Sequence, residues 1–172
     1  MTDSPDTYAD CTDKGFPPVY GEFPEVVILG SFPGIQSLLK KEYYGNPQNH
    51  FWHIMESLYN IDRKLPYNVR TSRLAEHRIA LWDVISTCSR KGSADAWIRN
   101  PVFNDLAAFL LSHPTLRLVV LNGRAAGRYY HQLALSTPVP AVILPSTSPA
   151  NTRFTLEKKV KAWGKIRTYP SQ

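Results

Sequence analysis

Four short apolar runs punctuate the chain: Val26–Leu29, Ile79–Val84, Leu116–Leu121 and Val139–Leu144. Val26–Leu29 is too short and too evenly apolar for a surface helix and reads as a buried strand; the other three read as the second, third and fourth strands. Between them the spacing turns helical. Phe51, Ile54, Met55 and Leu58 share one face of a helix placed over Asn46–Asn60. Asn46 suits its N-cap, and Pro47 its first position, where a missing N–H costs nothing. The polar stretch 61–77 holds a short helix ending near His77. Further helices fall over Asp105–Leu111, with Asn104 as cap, and over Arg124–Leu135. A last helix opens at Asn151 or Thr152 and carries Lys158, Lys159, Lys161 and Lys165 as a basic face. Ile35–Glu42 fits either a helix or a loop. Strands separated by helices predict an α/β fold, a four-stranded parallel sheet in a three-layer α/β/α sandwich. Residues 1–15 read as a flexible lead-in and 16–172 as a single domain. Phe16–Pro17–Pro18–Val19 and Phe23–Pro24 lay an extended segment over the core.

Composition narrows the class. A chain of 172 residues, 43% hydrophobic and 20% charged, buries a real core as one domain. A formal charge of +6, a pI of about 9.4 and 12% aromatic residues favour nucleic acid over a membrane as partner. No run approaches the roughly 18 apolar residues of a membrane span, and the polar, acidic start is unlike a signal peptide. Cys11 and Cys88 form no CxxC pair and cannot supply a four-cysteine metal or iron–sulfur site. Two such thiols suit a reducing cytoplasm. His50 and His53, three apart on one helix, have no nearby ligand set and read as solvated or packed histidines rather than metal ligands.

The candidate chemistry lies where the strands end. Gly30–Gly34, Asp83–Ser93, Asn122–Gly123 and Pro145–Asn151 follow the four strands, and in a parallel sheet these ends converge on one edge. GSFPG, residues 30–34, lacks the spacing of a dinucleotide loop, and Pro33 removes one N–H from any phosphate cradle. Tyr43 and Tyr44 are placed to line a cleft and to stack on a planar base. Asn49, in a first helical turn, carries a carboxamide at the positive end of the helix dipole. Pro145–Asn151 is stiff and rich in hydroxyls, a wedge able to pinch phosphates and enter a duplex. Asp83 and Asp95 are the acidic candidates for a general base.

The ordered set GSFPG, YYGNPQNHFW, WDV with CSRKGSADAWIRN, and LPSTSPAN resembles the uracil-DNA glycosylase superfamily. Within it the chain is similar to the hypoxanthine-DNA (deoxyinosine) glycosylase branch, over about residues 16–160. The resemblance implies a four-stranded parallel sheet, no cofactor, and base flipping into a pocket built by the first motif. It assigns catalysis to Asn49 and stacking on the base to Tyr44. Gly30, Ser31, Phe32 and Asn46 complete the base pocket, with Phe32 where mismatch-specific relatives carry a catalytic asparagine. Ser146, Thr147, Ser148, Pro149 and Asn151 match the motif that enters DNA. The activity so implied is monofunctional excision of a deaminated base from double-stranded DNA, hypoxanthine first and uracil second, by a cytoplasmic monomer. A uracil- or mismatch-preferring enzyme and a catalytically silent DNA-binding module on the same fold are the rivals. A Schiff-base lyase is not expected, because Lys40 and Lys41 read as solvated.

Overall fold

The computed structural model describes residues 12–169. Its central sheet has β2 (Val26–Gly30), β3 (Ile79–Asp83), β6 (Leu118–Asn122) and β7 (Ala141–Leu144), all parallel, in the order β3-β2-β6-β7. Successive strand residues point to opposite faces, and the core divides accordingly. Val27, Leu29, Ala80, Val119 and Leu121 pack with Phe109 of α4 (Leu106–Ser112) and Tyr129 of α5 (Arg124–Gln132). Val26, Ile28, Leu81 and Val120 pack with Phe51 and Met55 of α2 (Phe51–Tyr59), Leu74 of α3 (Tyr67–Glu76) and Trp163 of α6 (Leu156–Trp163). The expected sandwich is present, with both faces of the sheet covered. No helix among the described residues is long and apolar enough to cross a membrane.

Several boundaries differ from the sequence reading. The central helix begins at Phe51 rather than Asn46, and residues 46–49 form a turn ahead of it. There the asparagine side chains take up nearby backbone donors, Asn46 Oδ1 accepting from the Gln48 N–H and Asn49 Oδ1 from the Phe51 N–H, which holds the segment as a turn ahead of the helix. Asp105, not Asn104, caps α4 by accepting from the Ala108 N–H at 2.9 Å. Thr155, not Asn151 or Thr152, caps α6, its hydroxyl accepting from the Lys158 N–H. Ile35–Lys40 is helical (α1).

A second sheet was not foreseen. β1 (Thr12–Lys14), β4 (Ile85–Ser89) and β5 (Arg99–Phe103) form an antiparallel ribbon in the order β1-β4-β5. Its β4 lies within the expected strand-end loop Asp83–Ser93, and its β1 lies inside the expected lead-in. The remainder of that lead-in, residues 1–11, falls outside the described residues. These strands hide in the sequence because they are polar and half-exposed. Pro101 sits in β5, which tolerates it as an edge strand. The expected extended segment lies against β3, where Val19 and Leu81 exchange backbone bonds at 2.9 and 2.8 Å.

Candidate active site

β2 and β3 run in register, so Gly30 lies beside Asp83 at the carboxyl edge of the sheet. A Cβ on Gly30 would stand 2.5 Å from Asp83 Oδ1 and 3.5 Å from the Tyr44 hydroxyl. Only glycine lets the Asp83 carboxyl lie this close to β2. Asp83 is buried, and its Oδ2 has no partner among the described residues. Burial pushes its pKa up to about 7, with Asp95 adding to the rise and Arg90 opposing it.

The segment after β4 folds back over GSFPG. Ser31 Oγ donates to Asp95 Oδ1 at 2.6 Å, and the Ile35 N–H donates to Ser93 Oγ at 2.9 Å. Arg90 donates to the Pro33 carbonyl and lies 5.2 Å above the Phe32 ring. Burial also raises the Asp95 carboxyl, against the pull of Ser31 and Arg90. The Phe32 ring is buried in the core with Leu29 and Ile85, so it faces inward rather than across the open edge.

Asn122, the last residue of β6, joins the two halves of the edge. Its Nδ2 donates to the Tyr44 hydroxyl at 3.1 Å and to Thr147 Oγ1 at 3.0 Å, and its Oδ1 accepts from the Thr147 N–H at 2.9 Å. Thr147 is fully buried, and its carbonyl accepts from the His50 N–H at 2.9 Å, at the start of α2. Tyr44, at a positive φ of 57°, stacks on Phe51 with centroids 4.0 Å apart and planes 18° from parallel. Tyr43 does not line the cleft as expected. It is packed in the core, with its hydroxyl donating to the carbonyls of Phe16 and Pro17.

Asn49 stands just ahead of α2. Its Oδ1 accepts from the Phe51 N–H at 2.9 Å, satisfying one of the open donors of the helix start. The carboxamide oxygen is therefore engaged, and the Nδ2 end is what Asn49 offers a ligand. Asn46 Oδ1 is likewise engaged by the Gln48 N–H at 3.0 Å.

The Pro145–Asn151 loop is held from within and below. Asn151 Nδ2 donates to the Ser146 carbonyl at 3.0 Å, and Ser146 Oγ accepts from the Ser148 N–H at 3.2 Å. Trp163 Nε1 donates to the Pro145 carbonyl at 2.9 Å, and Lys159 Nζ to that of Ser148 at 3.3 Å. Lys159, one of the lysines of the basic last helix, is fully buried, and burial lowers its pKa. Pro149 stands exposed at the tip. Beside the loop, Gly123, Arg124, Ser146, Asn151 and Arg153 line a cavity of about 450 Å³. Another of about 470 Å³, around Glu25, Asn60 and Arg117, lies at the far edge of the sheet from these residues.

The roles of Asn122 and Lys159 were not legible beforehand. The available signal for Asn122 was its place, a polar residue at a strand's carboxyl end; for Lys159 there was none.

The family model described as the uracil DNA glycosylase superfamily matches residues 17–167. A protein named hypoxanthine DNA glycosylase, from Methanosarcina acetivorans, is 38% identical over 147 residues, covering 85% of this chain and 92% of the relative. One of the same name from Methanosarcina barkeri is 36% identical over 151 residues, covering 87% and 94%. A solution NMR structure from Methanosarcina acetivorans, described as a candidate uracil DNA glycosylase, superposes with a TM-score of 0.77 at 35% identity, covering 91% of this chain and 99% of that one. The chain belongs to the uracil DNA glycosylase superfamily. Its activity is that of a DNA glycosylase, and its substrate is DNA.

Proposed function

We propose that the chain excises hypoxanthine from deoxyinosine in duplex DNA, flipping the nucleotide to the edge formed by Gly30, Tyr44, Asp83 and Asn122. The observation that carries this reading is the Asn122 junction. It couples the stacked Tyr44 to Thr147 of the hydroxyl loop by direct hydrogen bonds. The two relatives named for hypoxanthine match nearly their whole length, which favours that base over uracil.

The steps follow from elementary chemistry. A base inside a duplex is out of reach, so it must be unstacked, at a cost of a few kcal/mol that is lowest for damaged pairs. Pro149, exposed at the loop tip, enters the gap, while Ser146, Ser148 and Asn151 hold the flanking phosphates. Thr147 acts from below by fixing the loop. The flipped base stacks on the half-buried Tyr44, whose other face is backed by Phe51. Cleavage leaves positive charge on the sugar and negative charge on the base. The Nδ2 of Asn49 donates to the water or the base, while the backbone of Ser31 and Phe32, together with Asn46, completes the rim. The protein acts as a monomer in a reducing cytoplasm, in keeping with two cysteines that form no CxxC pair.

The test is a gel assay on labelled duplexes holding one deoxyinosine or one deoxyuridine, followed by alkali. Strand breaks at deoxyinosine, and a loss of about 10²-fold or more in Asn49→Ala, are expected. Retained DNA binding without cleavage of either duplex would leave a silent binding module on this fold.

A further inference from the structure

We propose that Asp83 meets the flipped base as a neutral carboxylic acid, donating a hydrogen bond to a carbonyl oxygen or ring nitrogen on the base edge above Gly30. This rests on the glycosylase reading given above.

Place is the first support. Asp83 and Gly30 are register partners at the sheet edge, and a side chain on Gly30 would collide with Asp83 Oδ1 at 2.5 Å and touch the Tyr44 hydroxyl at 3.5 Å. The carboxyl and the phenol thus converge on the backbone of Gly30, at the carboxyl edge of the sheet where ligands of such folds bind. The Tyr44 oxygen already accepts from Asn122, so its own proton is also available to donate.

The second support is the missing partner. Asp83 is 5% exposed, and its Oδ2 finds no donor among the described residues. An ionised carboxylate there would be buried without compensation, whereas a neutral carboxyl carries a proton in need of an acceptor. The titratable groups around it agree. Asp95 from the turn after β4 repels a second negative charge, as would any ionisation of Tyr43, Tyr44 or Tyr67; Arg90 alone pulls the other way. Burial outweighs Arg90 and holds the carboxyl near neutrality, with a pKa of about 7.

The third support is chemical fit. On its major-groove edge hypoxanthine, like guanine, presents a carbonyl oxygen and N7, both acceptors, where adenine presents N7 and an amino donor. A neutral acid paired with that carbonyl favours the deaminated base over adenine. As the glycosidic electron pair leaves with the base, negative charge spreads onto these same acceptors and the hydrogen bond strengthens. Water gives its oxygen to the sugar carbon and releases a proton to the departing base or to solvent. Asp83 keeps its own.

The experiment is single-turnover excision of deoxyinosine by the full chain from about pH 5.5 to about 8, a range that brackets the raised value. Wild type should slow as pH rises through about 7. Asp83→Asn, which donates at every pH, should be slower than wild type at low pH but flat across the range. Asp83→Ala should fall about tenfold or more, with melting curves confirming that it is folded. Inhibition by free hypoxanthine is the second readout, and should weaken with rising pH in wild type but not in Asp83→Asn. A wild-type rate that rises through neutrality, with Asp83→Asn inactive, would make Asp83 a general base and overturn the proposal. Inhibition that is independent of pH in wild type would overturn it as well. Should wild type fail to excise deoxyinosine at every pH, the glycosylase reading falls, while hypoxanthine binding still reports on Asp83.

Discussion

Asn122 and Thr147 bind each other twice: the Asn122 carboxamide accepts from the Thr147 backbone N–H at 2.9 Å and donates to its hydroxyl at 3.0 Å. The pair ties the end of β6 to the loop after β7. Because Asn122 also donates to Tyr44, one side chain holds the stacking platform and the DNA-entering loop in fixed relation. Replacing it with alanine leaves three polar groups unanswered in a largely buried setting. Asn122→Ala should lose about 1–3 kcal/mol of stability and much of its excision activity. Urea denaturation and the deoxyinosine cleavage assay check both.

Asn49 has two separable duties. Its oxygen accepts from the Phe51 N–H, the first open donor of α2, and its nitrogen is the end offered to a ligand. Asn49→Asp keeps an acceptor at a helix N-terminus, where negative charge is favourable, but has no N–H to donate. It should keep wild-type stability and lose activity. Asn49→Ala should lose activity and about 1 kcal/mol of stability as well. Thermal denaturation of the two variants side by side separates cap from catalysis.

Asp83 should make the protein less stable as pH rises. Its folded pKa, about 7, is above the ordinary carboxyl value of 3.8, so the folded state holds the proton more tightly than the unfolded one. Stability from this group is greatest below the unfolded pKa, declines as pH climbs, and is lost once pH passes about 7. The full effect of such a shift is of order 4 kcal/mol. The difference in unfolding free energy between wild type and Asp83→Asn should change across that window and stay level above it. A pH-independent difference would show that Asp83 titrates normally.

Lys159 places a buried ammonium under the Ser148 carbonyl, its single polar contact in the described structure. Burial opposes the charge and lowers the pKa. Lys159→Met, similar in volume and uncharged, should be as stable as wild type or gain about 1 kcal/mol. Without its anchor the hydroxyl loop should loosen, so affinity for duplex DNA should fall several-fold. Melting temperature and fluorescence-anisotropy titration test the two halves of this expectation.

Much of the architecture was readable from residue order alone. Runs such as Val26–Leu29 can be buried on two faces only in a covered parallel sheet, and Phe51, Ile54, Met55 and Leu58 can share a face only in a helix. Local pattern therefore dictated the layers, the strand ends, and the convergence of Gly30, Asp83, Asn122 and the Pro145–Asn151 loop at one edge. Pattern did not reveal the ribbon β1-β4-β5, because half-exposed polar strands are stabilised by partners distant in sequence. Thr12 pairs with Ser89, and that pairing has no local signature. Nor could it separate Tyr43 from Tyr44, since adjacent identical residues differ only in which way the backbone turns them. Tyr44 takes a positive φ and reaches the site, while its neighbour fills the core. The burial of Lys159 and the orphaned carboxyl of Asp83 are likewise tertiary facts. A side chain's charge state depends on what surrounds it in three dimensions, and only the packed chain decides what that is.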